Sequence, residues 1–286
     1  MALRNTQHTW DVEKLPGKHI SDGGKGCLNA HLSAYRESDP CSYRGQAYKK
    51  ALGDSTKYNY PAYSSLCVQE GDKAPSFFME TLRLLSLITP APKEGQWDLE
   101  SESTEGKKNF RDSADVPYWH EAHHIVPNGT LQKAITDVGK GQPMEQEIKL
   151  MVRAGLLDEG YNLNDMKNMI ILPMDRKVAL ALGLPRHRQT RWLWSHTSYN
   201  NHVFFRLKDF FADMKMTAEK CKDRVPQYRK CKKLLEDLSE ELYPAIKEAG
   251  KTSQQQGESK ALDEMSGSYF TKKVKQTLGS SQDTSF

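Results

Sequence analysis

The hydrophobic positions of this chain fall into short, separate runs with long polar stretches between them. After Pro75, Phe78, Leu82 and Leu85 recur at i, i+4 and i+7, which predicts a helix that Pro90 and Pro92 close. Another helix is expected with Pro143 in its first turn, Ile148, Met151 and Val152 on one face, and Gly155 near its end. A stronger signal begins at Thr197 or Ser198, either of which can cap a helix whose buried stripe is Val203, Leu207, Phe210 and Met214. "YRKCKKLLEDLSEELYPAIKEAG" reads as a charged amphipathic helix, bent or ended near Pro244. Two apolar runs are short and end at prolines: Ile125–Val126 before Pro127, and "MIILP" at Pro173. Each predicts a short strand.

The polar stretches complete the outline. Residues 1–70 are rich in Gly, Ser, Tyr and Lys and predict loops with short helices such as "YRGQAYKKAL". "KEGQWDLESESTEGKKNFRDSADV" is charged and nearly free of aliphatic side chains, so it reads as a linker or exposed loop. The Gln/Ser/Gly-rich C-terminal tail reads as a mobile extension. The expected fold is α+β and mostly helical, a small ββα core with helical additions at both ends. Three parts are expected: residues 1–110, 111–220, and 221–286, the last being a helix and polar tail.

Composition narrows the classes. Apolar residues make up 37% and the mean hydropathy is −0.74, so the chain is polar but can still bury a core. No run of 18 apolar residues exists, so no membrane span is expected. The N-terminus has no apolar h-region, so no Sec-type signal is expected. The five cysteines are odd in number and contain no C-x-x-C pair. Free thiols in a reducing compartment are expected, and a cysteine zinc site is not.

A net charge of +4 does not by itself argue for nucleic acid. Its distribution adds something. Residues 1–110 are charge-balanced, whereas Arg176 to Lys208 contains no Asp or Glu. That window holds Arg176, Lys177, Arg186, Arg188, Arg191 and Arg206, with Trp192 and Trp194 interleaved. A solvated face is the ordinary reading of a charge run. Beside a metal site, the same window suits a phosphate backbone.

The candidate chemistry lies with the histidines. Of nine, His120, His123 and His124 cluster, and His187, His196 and His202 come later in the chain. The order is strand with His-His, loop, Asn168, strand, loop, His196, helix. Three such elements can converge on one divalent ion, with imidazoles as neutral nitrogen ligands. Phosphodiester hydrolysis fits this set, since it needs a base for water and a cation for the phosphoryl and departing oxygens. One difficulty is geometric: neighbours on a regular strand point to opposite faces, so His123 and His124 share a site only if the strand is ending there.

"EAHHIVP", "NMIILP" and "SHTSYNNHV" together resemble the AHH family of HNH-superfamily nucleases, over roughly Trp119 to Leu207. Members of that family are mostly bacterial toxin domains, including cargo of contact-dependent and type VI secretion systems. The resemblance implies His123 as a metal ligand, His124 as general base, Asn168 as a catalytic or loop-orienting residue, His196 as a second ligand, and Tyr199 packed beside it. The family often has a further histidine four residues before the position of His196, where this chain has Trp192. His187, His202 or water would then complete the ligand set. The implied function is a metal-dependent endonuclease using one Mg²⁺ or Zn²⁺. It would prefer DNA to RNA with little sequence specificity, and would be an antibacterial toxin. It would be made in a bacterial cytoplasm and delivered into target-cell cytoplasm, with an immunity protein and a secretion apparatus or chaperone as partners. Residues 1–110 would dock to that apparatus or cover the nuclease. The alternatives are a non-catalytic zinc-stabilised binding module and a housekeeping restriction or repair nuclease.

Overall fold

The computed structural model describes residues 2–31, 35–66, 94–104, 106–189, 196–220, 227–266 and 270. The helix expected after Pro75 lies outside the described residues, as do Arg191, Trp192 and Trp194. The principal elements in chain order are α1 (Ala2–Lys14), α2 (Tyr43–Leu52), β1 (His120–His124), α3 (Asn128–Gly139), α4 (Glu145–Asp158), β2 (Met169–Pro173), α5 (Arg176–Leu182), α6 (Thr197–Lys220) and α7 (Lys232–Gln255). The fold is α+β and mostly helical, built around one small antiparallel sheet.

β1 and β2 pair in regular register from His120↔Pro173 to His124↔Met169. All five residues of β2 are buried, because each face of the sheet carries its own core. On one face, Ile170 and Leu172 meet Leu131, Ile135, Val152, Leu156, Val203, Leu207, Leu235 and Leu242 from α3, α4, α6 and α7. On the other, Met169 and Ile171 meet Tyr48, Tyr58, Trp97, Phe110, Tyr118 and Leu182. The alternation along β2 is the period-two geometry of a strand, and burial on both sides is why its sequence is continuously apolar.

Several expectations are corrected. Ile125 and Val126 are fully buried but form the corner after β1, whose own sequence is the polar HEAHH. α3 was not expected, although Leu131, Ala134, Ile135 and Val138 carry a helical repeat. In α6 the fully buried stripe runs through Phe211, while Phe210 is only partly buried. α7 continues through Pro244 to Gln255. The charged stretch before β1 is not an exposed linker: Trp97, Leu99, Phe110 and Tyr118 are its few large apolar residues, and all four fill the second core. Part of the tail is also held, since Leu262 N donates to Arg186 O (3.0 Å) and Leu262 and Met265 are buried.

The described parts of residues 1–110 share both cores with the rest of the chain. Leu15 and Leu28 belong to the first, and Ala47, Tyr48 and Tyr58 to the second. Arg153 on α4 and Asp11 on α1 form an ion pair with both side chains at 0% exposure. Among the described residues, no helix is long and apolar enough to cross a membrane.

Candidate metal and catalytic site

β1 ends at the floor of a cleft of about 710 Å³. Glu121 and His123 project from one face of the strand and His120, Ala122 and His124 from the other, yet all five line the cleft, which runs along the length of β1. No bulge is involved, since the pairing is regular through His124. Adjacent histidines reach one cleft because it takes side chains from both faces of β1 along its length, not because the strand ends there.

Three histidines from separate elements meet on the Glu121 face. His123 Nδ1 lies 2.9 Å from His187 Nε2, and His196 Nε2 lies 3.0 Å from the same atom. All three side chains are buried. His187 comes from the loop after α5, and His196 immediately precedes α6. His187 Nδ1–H donates to the Glu121 carboxylate, which also takes Arg188. That bond fixes the His187 tautomer and leaves the Nε2 lone pair facing the cluster. One lone pair cannot satisfy two ring nitrogens, and His123 Nε2 and His196 Nδ1 are buried without hydrogen-bond partners. Burial, followed by neighbouring His187, pushes His123 well down and His196 down to about 3, so both rings are neutral near pH 7. Burial alone would raise Glu121, but His187 and Arg188 hold it down at about 2, as an anion. Three ring nitrogens converging beside a carboxylate are a donor set that fits a divalent transition ion.

His124 stands beside this cluster. Its Nε2 donates to Asn164 Oδ1 at 3.0 Å. The orientation of the Asn164 amide follows from its other end, where Nδ2 donates to the Asn29 carbonyl at 2.9 Å. A carbonyl can only accept, so Oδ1 must face His124, and His124 Nδ1 is then its basic nitrogen. Tyr43 on α2 packs near the imidazole, with ring centroids 5.2 Å apart.

The other expected residues fall elsewhere. Asn168 does not reach the cleft, and its amide is engaged on both sides. Oδ1 accepts from Val126 N (2.7 Å) and Ser239 Oγ (2.8 Å), and Nδ2 donates to Leu163 O (2.8 Å). It ties the end of β1 to the turn before β2 and to α7, the geometry of the loop-orienting role among the two expected for it. Tyr199 also positions, donating to Ile125 O at 2.5 Å with its ring 5.4 Å from His123. His202 lies beside Phe270 and is not part of the cluster. His120 does touch the cleft but is buried against Tyr118 and Phe110, outside the three-histidine cluster, and burial lowers it to about 4.

The expected cationic face is largely neutralised within the fold. Arg186 is buried and pairs with Glu264 at 3.0 Å. Arg188 lines the cleft but binds Glu121. Arg206 forms a bidentate pair with Glu241 at 2.7 and 2.9 Å. Arg176 and Lys177 are exposed on the first turn of α5, outside the cleft lining. Among the described residues, the cations that do line the cleft, besides Arg188, are Arg44 on α2 and Lys133 on α3. The first turn of α3 (Asn128–Thr130) also opens on it.

Glu121, Asn164, Arg44 and Lys133 were not singled out from the sequence. Only Glu121 had a usable signal, its spacing of two from His123 on a strand. The model of the AHH family, a nuclease family of the HNH/ENDO VII superfamily with conserved AHH, matches residues 104–242, and Ala122–His123–His124 supplies that motif. No curated protein and no solved structure gives a significant match to the chain.

Proposed function

We propose that this chain, whose residues 104–242 belong to the AHH nuclease family, cuts phosphodiester bonds with His124 as general base and His123, His187 and His196 as metal ligands. The observation that carries this reading is the meeting of three buried imidazoles from three elements at an open cleft that His124 also lines. A bound divalent ion supplies positive charge for the phosphoryl and departing oxygens. His124 takes the proton from an attacking water at Nδ1, and Asn164 holds that tautomer in place. Glu121 orients His187. Arg44, Lys133 and the N-terminus of α3 receive phosphates. Contacts of this kind do not read bases, which supports weak sequence specificity.

Three nitrogen donors favour Zn²⁺ or a similar transition ion over Mg²⁺, which prefers oxygen ligands. An open cleft supports catalysis over a closed structural module. The reading extends to DNA as the preferred substrate and to an antibacterial toxin delivered into target-cell cytoplasm, with a cognate immunity protein and a secretion apparatus or chaperone as partners. What supports these last points is the likeness of the three histidine-region motifs to toxin nucleases.

Plasmid DNA and RNA incubated with the full chain and Zn²⁺, Mn²⁺ or Mg²⁺, with and without chelator, test the chemistry. His124→Ala should slow cleavage by on the order of 10²–10⁴ while metal still titrates into the cluster. Cleavage that survives both chelator and His124→Ala would sink the mechanism. Expression in a bacterial cytoplasm tests the toxin reading: the chain should degrade the nucleoid and the His124→Ala variant should not.

A further inference from the structure

A second group of ligand-type side chains lies apart from the cleft. His19, Cys27, His31 and Cys41 each offer a ring nitrogen or sulfur, and these atoms all lie within 4.8 Å of one another. None of the four lines the cleft, and all precede the residues matched by the family. His19, Cys27 and Cys41 are buried and His31 is partly buried. Cys27 Sγ is 3.1 Å from His31 Nε2. His19 Nδ1 rests on the Ser21 hydroxyl at 2.7 Å, and its Nε2 is buried without a hydrogen-bond partner. The ring of His8 covers the group from α1, with centroids 4.4 Å from His19 and 4.5 Å from His31.

The surrounding segment has little else to hold it. Before α2 the described part of residues 15–42 contains one three-residue helical turn, Ile20–Asp22, and two isolated bridges, His19↔Gly26 and Cys27↔Asn162. Few aliphatic side chains are available to fix such a loop, which is the setting where a metal ion replaces a core. Two sulfurs and two imidazoles form a soft, four-donor set suited to tetrahedral Zn²⁺. A cysteine zinc site was not expected because the chain lacks a C-x-x-C pair. Here the ligand types alternate along the sequence, His19, Cys27, His31, Cys41, and folding brings them together.

We propose that His19, Cys27, His31 and Cys41 form a structural Cys₂His₂ zinc site, distinct from the three-histidine cluster of the cleft. Its ion would join the loop around Cys27 to the start of α2. It would also fix the backbone at Asn29, whose carbonyl holds the Asn164 amide and, through it, His124. The zinc site is therefore a positioning device for the base as well as a staple.

The test uses the full chain carrying His123→Ala and His196→Ala, which empties the cleft and silences the nuclease. Purified without added metal, this protein should retain about one zinc ion per chain. Exchange to Co²⁺ should give intense tetrahedral visible bands together with thiolate-to-cobalt charge-transfer absorption, and the latter an imidazole-only site cannot produce. Adding Cys27→Ser and Cys41→Ser should abolish the zinc and the thiolate absorption. The cobalt spectrum is read on the intact cluster, so the inference stays testable even where the cysteine variants fail to fold. A folded chain without zinc, a cobalt spectrum lacking the thiolate band, or mass spectrometry showing a Cys27–Cys41 disulfide in the purified protein would each overturn it.

Discussion

His187 shows how one side chain acquires a role from its neighbours. In the sequence it sits in "PRHRQTR", where a solvated basic loop is the natural reading. In the fold it stands between His123 and His196, and the Glu121 carboxylate holds its Nδ1–H. Replacing Glu121 with Gln keeps the shape but removes the anion that fixes this tautomer. Metal affinity measured by calorimetry should fall by about 10–100-fold, with cleavage restored by excess metal. An unchanged affinity would show that Glu121 serves only Arg188. The phosphate contacts can be sorted in the same way. Arg44→Gln and Lys133→Gln should each flatten the log–log salt dependence of DNA binding by about 0.7–0.9, the value for one lost phosphate contact. Arg186→Gln should leave the slope alone, because that guanidinium is buried on Glu264. At this scale His123, His124 and His196 were legible because local motifs carry them. Arg44 and Asn164 were not, because only the tertiary fold brings α2 to the cleft and the loop before β2 to His124.

At the scale of elements, patterns were readable where burial is regular, along one face of a helix or on both faces of a strand. α4 and α6 follow from their spacing, α2 was read only as a short helix in a polar stretch, and β2 follows from its unbroken apolar run, which reflects cores on both sides. β1 was misplaced by a few residues because its own side chains serve the site, so its sequence is polar and the apolar Ile125–Val126 pair beyond it drew the prediction. α7 was expected to bend or end near Pro244 because proline disfavours a helix interior; it runs on to Gln255, and packing on one side outweighs the lost hydrogen bond. That packing depends on a close approach at Gly250. A Cβ there would lie 2.4 Å from Leu184 Cα and 2.6 Å from Gly183 O, both backbone atoms that cannot swing aside. Gly250→Ala should therefore destabilise the fold by about 1–3 kcal/mol, the range for overpacking, despite alanine's better helix propensity. Urea unfolding of the two proteins would measure it, and a more stable variant would mean that α7 is not pinned to the loop after α5.

For the whole molecule, the question is whether the nuclease can stand without the residues before it. The sequence separates them by charge balance and a polar stretch, and so suggests a docking segment ahead of a self-contained nuclease. The packing supports the alternative of a covering segment. Tyr48, Tyr58 and Trp97 lie over Met169 and Ile171, so deleting residues 1–110 would open one face of β2 to water. The electrostatic cost is as specific. Arg153 on α4 has no exposure, and Asp11 on α1 is its carboxylate partner, with Arg153 Nε donating at 2.5 Å. Removing one partner of a buried pair leaves an uncompensated charge and typically costs 3–5 kcal/mol, a large part of a domain's stability. Asp11→Ala in the full chain should thus lower stability by about 3–5 kcal/mol, whereas Asp11→Ala with Arg153→Met should recover much of it. Residues 111–286 expressed alone should be insoluble or unfolded, read by circular dichroism and gel filtration beside the full-length His124→Ala protein. A soluble, cooperative, DNA-cutting fragment would restore the docking reading and make the contacts of α1 and α2 an interface between separable units.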